Sequence, residues 1–318
     1  MMKKIFITRE LAGNAETFLS QKGFKVNVFQ KDRAIKKSEL LKEAADTDAL
    51  ITLLTDKIDR KIIDSLPKCK IIANCAVGYN NIDVEYAKSK KIVVTNTPEI
   101  LTDATADLTV ALILACARRL GEGEKMMREG RFKSWKPQLL LGIELTGKTV
   151  GIIGAGRIGF AAAKRLKPFG TKIIYFDRNR REKFENELGA KKVTLNSLLK
   201  KADIISIHLP LSKETHHLLD KTNLKLMNRN AVLVNTSRGE IIDEKFLISL
   251  LQKNKIFAAG FDVYEGEPNI NPDLIKLKNV FLLPHIGSAT YEARSGMAML
   301  CAKNVASVLS GKKPVTPV

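Results

Sequence analysis

The chain has 318 residues, of which 45% are apolar and 6% aromatic, a balance that fits an ordinary folded globule of about two domains. Its formal charge is +19, but the lysines are scattered (Lys3, Lys4, Lys36, Lys37, Lys90, Lys91, Lys191, Lys192, Lys312, Lys313) and not interleaved with aromatics, so no nucleic-acid partner is expected. Lys3-Lys4 leads into no signal peptide, and the apolar stretch 108–117 is too short to span a bilayer, so no membrane partner and a cytoplasmic location are expected.

From the N-terminus, β-rich runs at 5–7, 25–29, 49–53, 70–75 and 92–95 alternate with helical patterns at 11–22, 38–45, 59–66 and 84–90. Such alternation predicts a parallel sheet of βαβ units. Asn96-Thr97-Pro98 breaks the pattern, and a long helix is predicted to follow, capped by Thr102 or Asp103. A second alternation runs through 150–153, 172–176, 204–208, 231–235, 256–261 and 280–283, which predicts a second doubly wound sheet. A helical stretch over 289–309 closes the chain and is expected to cross back to the first domain, which lacks a closing helix of its own. Cys69, Cys75, Cys116 and Cys301 form no C-x-x-C pair and read as small core residues of a reducing compartment.

The most informative segment is 150–159, where an apolar run feeds Gly154-x-Gly156-x-x-Gly159 and a helical pattern follows at 160–166. Gly154 permits a tight turn, Gly156 lets a pyrophosphate approach the backbone, and Gly159 lets helix pack on strand. The phosphates would meet a helix N-terminus, including the N–H groups of Arg157 and Ile158. Asp177 ends the next strand, about 20 residues on, where a ribose-binding carboxylate belongs. Three later islands each end a predicted strand: Thr236-Ser237-Arg238-Gly239, then 260–268, which holds Asp262 and Glu267, then Pro284-His285-Ile286-Gly287-Ser288. Carboxyl ends of strands form the ligand crevice in such sheets, so Arg238, Glu267 and His285 are expected to converge. Taken singly, each reads equally well as a salt-bridge, loop or structural residue. A further turn, at Val77-Gly78 after the fourth strand, offers backbone N–H groups to a carboxylate.

With these islands, Val77-Gly78-Tyr79-Asn80-Asn81-Ile82-Asp83, the run 96–107 and Gly147-Lys148-Thr149-Val150-Gly151, nearly the whole chain resembles the D-2-hydroxyacid dehydrogenase family, most of all its glyoxylate/hydroxypyruvate reductases. The resemblance implies an α/β protein of two doubly wound parallel-sheet domains. A flavodoxin-like substrate domain would take residues 1–98 plus 290–318. A Rossmann NAD(P)-binding domain would take 99–289, with a dimerisation excursion near 120–145. His285 would then be the general acid, Glu267 its orienting carboxylate, and Arg238 the fork that holds substrate carboxylate and carbonyl oxygen. Leu53, Val77, Gly78 and Ser288 would complete the substrate site. The cofactor would contact Gly154, Gly156, Arg157, Ile158, Gly159, Asp177, Arg178, His208, Pro210, Thr236, Asp262 and Gly287, with Asp262 accepting from the nicotinamide carboxamide. No metal is implied.

The implied reaction is reduction of glyoxylate or hydroxypyruvate to the D-2-hydroxy acid by a homodimer. D-lactate or D-3-phosphoglycerate dehydrogenase is the neighbouring alternative, and a nucleotide-sensing, corepressor-like binding protein a more remote one. Asp177 favours NAD by repelling a 2′-phosphate. Arg178, Arg180 and Arg181 crowd the same loop, so NADP stays open.

Overall fold

In the computed structural model, which describes residues 2–318, the chain divides into two compact units. One is formed by the residues up to Leu101 together with Ser288–Val318, the other by Thr102–Gly287.

The first unit is built on β1 (Lys4–Ile7), β2 (Lys25–Val28), β3 (Ala49–Thr52), β4 (Ile71–Asn74) and β5 (Val93–Thr95). They form a single sheet in the order β2-β1-β3-β4-β5, with every pairing parallel. Between them run α1 (Ala15–Gln21), α2 (Lys37–Glu43), α3 (Arg60–Asp64) and α4 (Val84–Ser89). Strands β3 and β4 are buried along their whole length, which is why ALIT and IIAN read as unbroken runs and do not alternate. Asp59 and Asp83 cap α3 and α4 by accepting from the N–H groups of Ile62 and Tyr86. The helix predicted over 11–22 begins only at Ala15. Gly13 stands at φ +81, where a Cβ would lie 2.7 Å from that of Ser295, so the chain turns tightly before the helix starts.

In the second unit α5 (Thr102–Ala117) and α6 (Leu120–Arg128) precede a sheet built with intervening helices. Its elements are β6 (Thr149–Ile153), α7 (Arg157–Leu166), β7 (Lys172–Phe176), α8 (Glu182–Leu188), β8 (Lys191–Lys192), α9 (Leu195–Lys201) and β9 (Ile204–Ile207). Then follow α10 (Lys221–Leu224), β10 (Val232–Asn235), α11 (Glu244–Gln252), β11 (Ala258–Phe261), α12 (Pro272–Ile275) and β12 (Val280–Leu282). The seven strands lie in the order β12-β11-β10-β9-β6-β7-β8, again all parallel. One face is covered by α5 through Leu112, Ile113 and Cys116 against Val150, Ile152 and Val234. The other is covered by α9 and α11 through Leu198, Leu247 and Leu251 against Ile205 and Leu233. Sequence reasoning missed β8, whose two exposed lysines carry no apolar signal. It also misplaced the cap of α5: Thr102 and Asp103 lie inside the first turn, and Asp103 pairs with Arg165 at 2.8 Å.

The last helix, α13 (Tyr291–Leu309), is capped by Thr290 and packs on α1 and β4 of the first unit. All four cysteines are free and buried. Burial pushes the thiols of Cys69 and Cys116 up to about 12. Among the described residues no helix is long and apolar enough to cross a membrane, and no group of three or more His, Cys, Asp or Glu is placed to hold a metal.

Candidate active site and cofactor site

The cofactor site begins where β6 turns into α7. Gly154 stands at φ +98, and a Cβ there would lie 2.7 Å from the His208 carbonyl, so only glycine fits. At Gly159 a Cβ would come within 2.2 Å of the Gly154 carbonyl oxygen, because the helix is pressed against the turn that feeds it. At Gly156 it would meet nothing within 4 Å. That open space, beside the first N–H groups of a ten-residue helix, fits a pyrophosphate.

Asp177, 8% exposed at the end of β7, accepts from the N–H of Ala155 at 2.9 Å and so ties the second strand to the glycine turn. Of the three arginines beside it, Arg181 pairs with Asp177 at 3.2 Å and Arg180 with Glu185 at 2.5 Å. Arg178 is exposed, and its charge acts on Glu214. His208 follows β9; its Nε2 lies 2.8 Å from the Ser206 hydroxyl, and burial drops its pKa to about 4, so the ring is neutral near pH 7. Pro210 contributes its carbonyl to the Thr215 hydroxyl at 2.7 Å. The Thr236 hydroxyl lies 2.9 Å from that of Thr109, while Thr105 donates to the Gly287 carbonyl at 3.1 Å. Thr105 and Thr109 thus tie α5 to two segments expected at the cofactor. Sequence reasoning gave them no role, because Thr105 was only one residue of the run 96–107, Thr109 lay just beyond it, and their burial shows only in the fold.

Arg238, Glu267 and His285 come together at the carboxyl edge of the same sheet. Asn235, a residue not singled out in the sequence, shapes the turn after β10: its Nδ2 donates to the Arg238 carbonyl at 2.8 Å, and its Oδ1 accepts from the Ser237 N–H at 3.0 Å. Gly239 then packs so closely that a Cβ would fall 1.9 Å from the Tyr264 carbonyl carbon, which brings the Arg238 turn onto the Glu267 loop. Burial lowers the Arg238 pKa, against the opposing charges of Glu267 and Glu240. Glu267 Oε2 lies 2.8 Å from His285 Nδ1, and its Oε1 accepts from the Tyr264 N–H at 2.8 Å. Burial raises the Glu267 pKa, but the hydrogen bond and charge of His285, the Tyr264 N–H and the Arg238 charge outweigh it, leaving the carboxyl below its usual range. With Nδ1 held, Nε2 of His285 is the nitrogen left to exchange a proton.

His285 itself has left-handed backbone at φ 55. Asp262, 1% exposed, holds it there, its two oxygens accepting from the N–H groups of Ile286 and Gly287 at 2.7 Å each. Both oxygens expected to face a carboxamide are thus already engaged by the histidine loop. A cavity of about 540 Å³, lined by Arg119, Arg229, Phe257 and Phe281, opens at the opposite, amino edge of the sheet and takes no part in this constellation.

In the first unit, Val77 and Gly78 follow β4. Asn96 Nδ2 donates to the Val77 carbonyl and Asn74 Nδ2 to the Gly78 carbonyl, both at 2.8 Å. The two carbonyls are pinned, while the N–H groups of Val77 and Gly78 have no acceptor among the described residues. Leu53 follows β3, half-buried, with its N–H on Asp56 at 2.8 Å. Ser288 directly follows the His285 loop and opens the returning segment.

Residues 110–287 match the D-isomer specific 2-hydroxyacid dehydrogenase, NAD binding domain, family. The chain is 49% identical over 318 residues to a glyoxylate reductase of Thermococcus litoralis, covering 99% of this chain and 96% of that protein. Its structure is similar to that of a glyoxylate reductase from Paecilomyes thermophila, with a TM-score of 0.90, 32% identity and coverage of 100% and 98%. It is also similar to an NADPH-dependent glyoxylate/hydroxypyruvate reductase from Sinorhizobium meliloti in complex with NADP and malonate, with a TM-score of 0.87, 31% identity and coverage of 100% and 97%. By its sequence and its two-sheet fold, the chain belongs to the D-isomer specific 2-hydroxyacid dehydrogenase family.

Proposed function

We propose that this chain reduces the small 2-keto acids glyoxylate and hydroxypyruvate, using NADH in preference to NADPH. The observation that carries the reading is the His285–Glu267 pair at 2.8 Å beside Arg238, on the edge of a sheet whose glycine turn fits a dinucleotide. Bound nicotinamide supplies the hydride that reaches the keto carbon. His285 Nε2 gives its proton to the keto oxygen, so that one hydride and one proton convert carbonyl to hydroxyl. Glu267, ionised near neutrality, holds Nδ1 and steadies the imidazolium before transfer. Arg238 offers paired donors to the substrate carboxylate and the developing alkoxide. Val77 and Gly78 add backbone N–H groups to the carboxylate, and Leu53 and Ser288 flank it. Around the cofactor, Arg157 and Ile158 would meet the pyrophosphate, and Asp177 the ribose hydroxyls.

The preference for NADH rests on Asp177, buried where a 2′-phosphate would have to approach. Two of the three nearby arginines already pair with acids, which leaves Arg178 to serve NADPH as a weaker substrate. A homodimer joined through residues 120–145 completes the reading. Buried, unpaired cysteines support a reducing, cytoplasmic location.

The test is oxidation of NADH and NADPH by the purified protein with glyoxylate and with hydroxypyruvate. Turnover with NADH above NADPH is expected. His285→Gln should lose about 10²–10⁴-fold in kcat while binding NADH as before. Wild-type kinetics in that variant would remove His285 from the chemistry, and no oxidation with either keto acid would overturn the assignment.

A further inference from the structure

The carboxyl edge of the first sheet holds a cation that the chemistry above does not use. Arg9 lies two residues past β1, and its Nε is buried with no hydrogen-bond partner among the described residues. Burying a guanidinium donor without an acceptor is costly, and so few such atoms occur here that each calls for a cause. The carboxylate whose charge Arg9 feels, Asp56, is 3% exposed and already taken: it accepts from the Thr8 hydroxyl at 2.5 Å and the Leu53 N–H at 2.8 Å. Asp56 therefore staples the end of β1 to the end of β3 and leaves Arg9 its donors.

The position matters as much as the missing partner. In the order β2-β1-β3-β4-β5 the direction of strand addition reverses between β1 and β3. Outside the carboxyl ends of strands at such a reversal is where open α/β sheets bind ligands. Three adjacent strand ends there carry Arg9, Leu53 and Val77-Gly78. From β4 to β1 is two strand spacings, about 10 Å, a gap that an extended arginine and a three-carbon acid bridge together.

We propose that Arg9 is a specificity-determining residue whose guanidinium donates to an oxygen on C3 of the substrate. The edge then favours 2-keto acids with a second acceptor group, a hydroxyl or carboxylate, over glyoxylate, which has no C3. This rests on the reading that Val77 and Gly78 grip the substrate carboxylate.

The test compares glyoxylate with hydroxypyruvate in the wild type, Arg9→Gln and Arg9→Lys, with melting temperature and NADH affinity measured on each. Arg9→Gln is expected to lose roughly tenfold or more in kcat/KM on hydroxypyruvate, mostly in KM, and less than about twofold on glyoxylate. Arg9→Lys should recover part of the loss, since it keeps the charge without the planar fork. Equal losses on both substrates, with a lower melting temperature, would make Arg9 a structural residue and overturn the proposal. So would unchanged kinetics on both. A wild type that reduces neither keto acid would overturn the functional reading itself, and this proposal with it.

Discussion

Left-handed backbone costs a residue other than glycine roughly 1–3 kcal/mol, and the protein accepts that cost at His285, with φ 55. Hydrogen bonds to a charged acceptor contribute about 1.5–3 kcal/mol each, so the two N–H groups bound by Asp262 are enough to offset it. The imidazole is thus aimed by one carboxylate through the backbone and by another, Glu267, through its ring. The sign of the pH effect at Glu267 follows from its lowered pKa. A carboxyl whose pKa falls on folding stabilises the fold above its unfolded value, near 4.5, and loses that contribution as the pH drops through the folded value. The melting temperature of the wild type should therefore exceed that of Glu267→Gln at pH 7, and the gap should close below pH 4.5. A gap independent of pH would mean that Glu267 acts through shape alone. His285 and Glu267 were legible because their islands end predicted strands. The hold of Asp262 on the histidine loop was not, since bonds to backbone across 24 and 25 residues leave no trace in side-chain type.

At the scale of one element, the glycine turn separates two kinds of requirement. A methyl group at Gly159 would collide with the backbone of its own turn, whereas one at Gly156 would enter empty space. Gly159→Ala should lower the stability of the nucleotide-free protein by about 1–3 kcal/mol, the usual cost of overpacking. Gly156→Ala should melt with the wild type yet bind NADH roughly tenfold or more weakly, because its methyl group fills the space left for phosphate. Calorimetric melts and NADH titrations of the pair check both halves. If the variants behave alike, the open space at Gly156 is not the phosphate site. Elements were legible to the extent that burial wrote them: the fully buried strands ALIT and IIAN gave the first sheet away, and IISI and VLVN the second. What stayed hidden was set by contacts distant in sequence. Gly13 against Ser295 delays α1, Arg165 draws Asp103 into the first turn of α5, and the short edge strand β8 exists only by pairing with β7.

Across the whole molecule, apolar surface is unevenly spent. The segment near 120–145, apart from α6, has little regular structure, yet it exposes Leu120, Met127, Phe132, Trp135 and Leu141, with Trp135 78% exposed. Scattered apolar side chains are ordinary on a surface, but five exposed within one excursion are a concentration that water does not favour. A two-fold contact would bury each of them twice over, once on each copy. At about 25 cal/mol per Å² of apolar surface, and with aromatic residues contributing most at interface centres, Trp135 is the side chain on which such a contact would chiefly depend. Light scattering of the wild type should give the mass of two chains. The double variant Trp135→Asp, Leu141→Asp should give the mass of one and melt at a lower temperature, because a folded dimer gains stability by mass action that a separated chain lacks. A wild type that scatters as a single chain at micromolar concentration would leave the excursion without a second copy to bind. A variant that stays dimeric would move the contact elsewhere on the surface.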